Sequence, residues 1–189
     1  KAFLERMQPL GQRLNGFMIQ LPASFSPPML GALDDFINSL PTIYKYAVEV
    51  RHPAFFTDAA TRQHYNELLR GLKVDRVIFD SRPVHSAPAI EAQRKKPRLP
   101  VQLDTTAQAP MLRYIGHPVL EENQKFLEPW VAQTARWLEA GMKPYIYLHT
   151  PSNIQVPVLA RQFHALLQKR VEGLVDLPVF PCEENGELL

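Results

Sequence analysis

Polar and charged side chains recur in this chain where each of five short apolar runs ends. Two carboxylates and a histidine, Glu49, Asp80 and His52, are the residues that we expect to donate and accept protons. Arginine binds carboxylates and phosphates through paired hydrogen bonds. The pattern predicts general acid–base chemistry on a small polar or anionic metabolite. The side chains expected to hold that ligand are Gln20, Arg51, Arg82, His85, Arg113, Tyr147 and His149.

These residues also have ordinary structural interpretations. Glu49 and Arg51 lie two positions apart on one strand face, where they could simply neutralise each other. The histidines and carboxylates could bind a divalent metal, but neither H-E-x-x-H nor C-x-x-C spacing occurs. We therefore predict no cofactor and no metal ligands, and a divalent metal is the less favoured alternative. G-x-S-x-G is absent and Cys182 is the one cysteine, so nucleophilic catalysis has little support.

The elements that must position these side chains alternate along the chain. Runs rich in Val, Ile, Tyr and Phe predict strands over residues 17–22, 46–51, 76–81, 111–116 and 145–150. Apolar residues at helical spacing predict helices between them, with Ser26 and Thr57 as caps of the first two and a further helix before the first strand. Such alternation requires parallel strands with crossover helices, which defines an α/β fold.

Two α/β architectures fit this alternation, a doubly wound sheet and a (βα)8 barrel. The TIM barrel is favoured because no G-x-G-x-x-G or G-x-x-x-x-G-K follows any strand. In a barrel the carboxyl ends of the strands form one rim, where catalytic residues usually lie. We expect a single domain over residues 1–189, with a long polar loop at 83–106 and a loose tail at 183–189.

Composition narrows the classes of function. With 46% hydrophobic residues, 21% charged residues and a formal net charge of +2, the chain is typical of a folded globular protein. The lone cysteine favours a reducing cytoplasm, and no apolar run is long enough to cross a membrane. The basic residues Arg94, Lys95, Lys96 and Arg98 suggest an alternative, a nucleic-acid-associated protein or nuclease. Aromatic residues do not interleave with them, which disfavours a nucleic-acid partner. A non-catalytic binding domain is the third possibility.

Five segments carry a resemblance to a known family. They are "IQLPASF", "YAVEVRHPAFF", "VIFDSRPVH", "LRYIGH" and "YIYLHTPS". Their Q-L-P, E-x-R-H-P and D-S-R-P signatures resemble the YecE-like family of uncharacterised proteins, in the same order and over almost the whole chain. The chain departs from the family where His117 follows Gly116 and where the last strand ends in His149.

The resemblance implies a (βα)8 barrel in which the five strands correspond to the fourth through eighth. It also implies that the first three strands precede Lys1 and are missing, so unpaired sheet edges could lead to self-association. The family positions carried over most directly are Gln20, Glu49, Arg51, His52, Asp80 and Arg113. The family supplies no established reaction. A sugar or sugar-phosphate substrate is therefore suggested only by analogy of fold.

Overall fold

The computed structural model describes residues 2–89, 91–94 and 96–179. The chain divides into two compact units. Of the described residues, unit 1 contains 2–77 and 104–107, and unit 2 contains the others. The single domain over 1–189 stays a prediction, because that range includes residues outside those described.

Unit 1 is built on parallel strands. Strand β1 (Phe17–Gln20) pairs with β2 (Tyr46–Glu49) along its whole length, which places Gln20 directly opposite Glu49. Strand β3 (Asp75–Asp80) begins in this unit and is parallel to β2. The order of strands in unit 1 is therefore β1-β2-β3, and the carboxyl ends of β1 and β2 lie side by side.

The described part of unit 1 has four α-helices: α1 (Ala2–Met7), α2 (Leu30–Asn38), α3 (Ala54–Thr57) and α4 (Ala59–Leu72). The prediction that Thr57 caps the second long helix is wrong. Thr57 ends the short helix α3. The cap of α4 is Asp58, an extended residue whose side chain accepts a hydrogen bond of 2.7 Å from the Thr61 amide. Hydrogen bonding from the side chain of Thr61, and then from its amide, lowers the pKa of the Asp58 carboxyl.

An arginine is buried in the core of unit 1. The side chain of Arg76 is bonded to Asn66 Oδ1 at 2.6 Å and to the carbonyl of Phe55, and its guanidinium lies over the rings of Phe56 and Tyr65. Burial lowers the pKa of this arginine. The carboxylate of Asp104, 3.9 Å from Arg76 Nη1, provides the opposite charge. Arg76 therefore attaches β3 to the helices that pack on it.

Unit 2 continues the same alternation. It contains the end of β3, then β4 (Met111–Ile115) and β5 (Tyr145–His149), which are parallel and adjacent in that order. Its helices are α5 (Arg82–Ser86), α6 (Glu91–Arg94), α7 (Gln124–Glu139) and α8 (Val156–Gln168). Helix α7 packs against α8, and both cover the face of the sheet that carries Ile78, Leu112 and Tyr114.

The predicted α/β class is confirmed, because all five predicted strands are present and all the strand pairs described are parallel. Within the predicted loop at 83–106 the structure has most of α5 and all of α6, and residues 97–106 form neither helix nor strand. The tail at 183–189 and Cys182 lie outside the described residues. Among the described helices, none is both long and apolar enough to span a membrane.

Candidate functional site

Three predicted site residues of unit 1 form one group. Arg51 donates from Nε to Glu49 Oε1 at 2.8 Å and from Nη2 to Gln20 Oε1, also at 2.8 Å. The Glu49 side chain is 1% exposed and that of Arg51 is 19% exposed. We call Gln20, Glu49 and Arg51 the Arg51 group.

The local sequence explains why these three side chains meet. Gln20 and Glu49 are register partners and end neighbouring parallel strands, so their side chains lie on the same face. The amide of Leu21 donates to the carbonyl of Glu49 at 2.9 Å, which continues the ladder past the strand end. Arg51 follows two residues later and bridges the two acceptors. The guanidinium is thereby held in one orientation before any ligand arrives.

His52 lies next to this group in the chain and is half-buried. Its Nδ1 accepts a hydrogen bond of 3.2 Å from the amide of Ala54, at the start of α3, and its ring packs edge-on against Phe55. Because Nδ1 is the acceptor, the neutral imidazole has its proton on Nε2. His52 can therefore offer an Nε2–H donor to a ligand, whereas Nδ1 is engaged in fixing the turn.

Asp80, Arg82 and Trp130 form a second group, in unit 2, which we call the Asp80 group. Asp80 is fully buried and its Oδ1 accepts from both the amide and Nε of Arg82, at 3.0 and 2.9 Å. Its Oδ2 accepts from Arg82 Nη2 at 2.8 Å and from Trp130 Nε1 at 2.7 Å. Both oxygens of this carboxylate are therefore occupied by donors of the protein itself.

The Asp80 group joins three elements of unit 2. Asp80 ends β3, Arg82 begins α5, and Trp130 lies in α7, where it packs with Trp137 inside the core. The hydrogen bonds that the Arg82 side chain donates to Asp80 raise the pKa of Arg82. Burial raises the pKa of the neighbouring Tyr114, and the charge of Asp80 raises it further. This arrangement is that of a buried carboxylate that anchors a strand end through an indole and a half-exposed arginine.

His85 and the basic run lie in the segment that follows. Nε2 of His85 is 3.2 Å from the carbonyl of Lys96, and the hydroxyl of Ser81 donates to the carbonyl of Pro97 at 2.7 Å. Arg94 and Arg98 are exposed. His85 therefore holds part of the basic run against α5. Lys95 lies outside the described residues.

Arg113, Tyr147 and His149 share one sheet face of unit 2. Arg113 is the register partner of Tyr147, and His149 ends β5 opposite Ile115. Arg113 and Tyr147 lie in the middle of their strands, two residues before the ends at which the sequence placed them. Tyr147 is 47% exposed, whereas Arg113 and His149 are half-buried. Their predicted ligand contacts stay predictions.

The sequence did not indicate the role of Asn123. This fully buried amide accepts from the Tyr114 hydroxyl and the His117 amide, and donates to three carbonyls of the loop between β4 and α7. A side chain on Gly116 would place its Cβ 2.8 Å from Asn123 Oδ1. The glycine is required so that the loop can close on Asn123. Nothing in the local pattern distinguishes this asparagine from a surface residue.

In the ranges that the structure describes, no three His, Cys, Asp or Glu side chains come close enough to hold a metal ion. A divalent metal therefore stays the less favoured prediction. The arrangement of Glu49 and Arg51 instead provides a buried carboxylate and an oriented cation. Those two groups suit proton transfer and the binding of an anion.

Comparison with known proteins agrees with the motifs. Residues 1–183 match the family described as "Protein of unknown function DUF72". The chain is 41% identical over 188 residues to the UPF0759 protein YecE of Escherichia coli strain K12, an alignment that covers 97% of this chain and 69% of that protein. The protein of the same name from E. coli O157:H7 gives the same identity and coverage.

Two crystal structures of a DUF72 family protein from Enterococcus faecalis V583 are similar in fold. Their TM-scores are 0.67 and 0.61, with 16% sequence identity, and they cover 89% and 93% of this chain. This chain spans 66% of the solved chain's length in both cases. At that identity the likeness shows the fold alone.

Proposed function

We propose that this chain, which belongs to the DUF72 family of proteins of unknown function, is an enzyme that acts on a small anionic metabolite. The proposal is argued from the geometry of the chain's own candidate site. The observation that carries the proposal is the Arg51 group. A guanidinium held by acceptors from two strands lies beside a buried carboxylate at the carboxyl edge of parallel strands. In parallel α/β folds that edge is the usual place for substrate.

Each residue has a defined part in this proposal. Arg51 binds the carboxylate or phosphate of the substrate, and Gln20 helps to orient it. Glu49 takes a proton from the substrate and returns it, while His52 donates a hydrogen bond from Nε2. Sugar phosphates are the proposed substrate class, because they combine an anionic group with carbons and hydroxyls whose protons can be exchanged. Asp80 is assigned a structural role, since its four donors leave the carboxylate engaged.

The proposal extends to the fold, the cellular location, the cofactor requirement and the partners of the protein. The five βα units correspond to the fourth through eighth units of a (βα)8 barrel, and the protein works in the cytoplasm. No resident cofactor is needed, because proton transfer by Glu49 requires none. We also propose that the protein self-associates through its sheet edges if those edges are unpaired in solution.

Calorimetric titration tests the binding step. Inorganic phosphate and a set of hexose and pentose phosphates are titrated into the protein and into Arg51→Gln. We expect at least one sugar phosphate to bind, and Arg51→Gln to weaken it by about ten- to a hundredfold, the value of a lost charged hydrogen bond. Arg70→Gln, at an exposed position on α4, is the matched control and should bind as the parent does.

A second measurement separates catalysis from binding. The sugar phosphate that binds is incubated with the protein, and its conversion is followed by NMR. Glu49→Gln should keep most of the affinity and lose conversion, as expected for a proton-transfer group. Binding without conversion by the parent would instead indicate a non-catalytic binding domain. Failure of every probe to bind would refute the proposal.

A further inference from the structure

Unit 1 contains a cavity at the end of its strands opposite to the Arg51 group. The cavity has a volume of about 460 Å³ and lies between the last turns of α2 and α4, beside the first residue of β2 and the residue before β3. Pockets for small molecules measure about 300–1,000 Å³. The cavity is therefore large enough for a compact ligand, and none of the Arg51 group lines it.

The floor of the cavity is apolar. Ile37, Tyr46 and Val74 line it and are buried, with exposed fractions of 7%, 8% and 2%. Leu40 and Leu72 also line the cavity and are half-buried. A floor of this kind favours an apolar ligand, because contact between the two releases water from both surfaces.

Two tyrosines give the cavity an aromatic wall. Tyr44 and Tyr46 both line it, and each packs against the ring of Phe17, with ring centroids 5.1 and 6.0 Å apart. The Tyr46 hydroxyl donates to the carbonyl of Pro41 at 2.9 Å, so this polar atom already has a partner. A fixed aromatic wall favours an aromatic ligand, which can pack edge-on or offset against it.

A glycine lines the cavity at a place where the helix does not require one. Gly71 lies in the last turn of α4, and a Cβ built on it would meet no heavy atom within 4 Å apart from the adjoining helix backbone. Most other residues would stabilise the helix more than glycine does. Neither the backbone conformation nor a close contact therefore explains Gly71. Because it has no side chain, it leaves the space beside the cavity open.

Charges of both signs border the cavity. The last turns of α2 and α4 present the negative ends of two helix dipoles, and Asp34 accepts a hydrogen bond of 2.8 Å from Nδ2 of the lining residue Asn38. Lys73 is a cation among the lining residues. The floor residues carry no charge, so an ion placed on them would lose water without gaining a partner. These surroundings favour a ligand without net charge.

We propose that this cavity binds a compact, uncharged aromatic molecule, whose ring packs on the apolar floor beside the two tyrosines. It is an accessory site, distinct from the Arg51 group and independent of the reaction proposed there. Failure of sugar phosphates to bind would leave this proposal standing, and the reverse also holds.

The probe is 2-phenylethanol, titrated into isotope-labelled protein and followed by amide NMR shifts. We expect saturable shifts at Ile37, Tyr46 and Val74. Phenylacetate and 2-phenylethylamine have the same ring and opposite charges, and each should bind at least about tenfold more weakly than the alcohol. Shifts centred on Gln20 and Glu49, absence of saturable shifts, or an ion that binds as tightly as the alcohol would each overturn the proposal.

The variant Gly71→Leu fills the space beside the cavity without weakening the helix. Because leucine favours a helix more than glycine does, the variant should keep or raise Tm, and it should weaken 2-phenylethanol binding by at least about tenfold. Gly31→Leu is the matched control, since Gly31 also lies in a helix with open space for a Cβ but does not line the cavity. It should bind the alcohol as the parent does. Unchanged affinity in Gly71→Leu, or an equal loss in Gly31→Leu, would overturn the proposal.

Discussion

The Arg51 group and the Asp80 group begin from the same local pattern and end in different arrangements. In both, a buried carboxylate ends a strand and an arginine follows two residues later. Arg51 bonds Glu49 through Nε and extends Nη2 to Gln20 of the neighbouring strand. Arg82 instead places Nε and Nη2 on the two oxygens of Asp80.

The difference lies in what each carboxylate faces. Asp80 lies on the same strand face as Ile78, which packs with the helices of unit 2, so its carboxylate reaches the indole of Trp130. Glu49 lies beside Gln20 at the strand ends of unit 1. An acid and an arginine two residues apart can therefore anchor an element or orient a cation, depending on the strand face.

Asp80→Ala should produce the largest loss of stability. It leaves Trp130 Nε1 buried without its acceptor and removes the ion pair to the half-exposed Arg82, which together cost about 2–4 kcal/mol of unfolding free energy. Urea unfolding measures this loss. Glu139→Ala removes an exposed carboxylate of α7 and should stay within about 0.5 kcal/mol of the parent. A loss for Asp80→Ala as small as that of the control would remove the structural assignment.

Arg51→Gln should lower the free energy of unfolding by less than Asp80→Ala does, by about 2 kcal/mol, because Glu49 stays buried without its cation. The double variant with Glu49→Gln should recover much of that loss, since it removes the buried charge as well. Chemical denaturation of the parent, both single variants and the double variant gives the coupling. Additive losses would show that Glu49 and Arg51 do not act as a pair.

Alkaline pH should destabilise both regions through their buried tyrosines. Burial raises the pKa of Tyr65 in unit 1 and of Tyr114 in unit 2 above the usual 10.0, and the charges of Glu49 and Asp80 respectively add to this. Unfolded tyrosines lose their protons first, so stability is full below pH 10 and falls as the pH rises above it. The free energy of unfolding, measured on either side of pH 10, should fall less steeply with rising pH in Tyr65→Phe and in Tyr114→Phe than in the parent. Equal slopes in parent and variants would contradict the assigned pKa directions.

The sequence was sufficient for the strands and for much of the Arg51 group. Continuous apolar runs predict buried parallel strands, and register then brings Gln20 and Glu49 together. The sequence could not predict which way the Asp80 side chain points. Side chains alternate between the two faces of a strand, and the predicted strand boundary was uncertain by one or two residues. Asn123 was missed for another reason. Its importance comes from five hydrogen bonds that exist only after the loop has folded.

One titration tests the central distinction between an orienting pair and an anchoring pair. Arg82 is 50% exposed and Arg51 only 19%, so exposure alone would make Arg82 the better anion binder. The sugar phosphate that binds the parent is titrated into Arg51→Gln and Arg82→Gln at the same ionic strength. We predict a loss of about tenfold or more for Arg51→Gln and a change within about twofold for Arg82→Gln. Equal losses, or a larger loss for Arg82→Gln, would contradict the account.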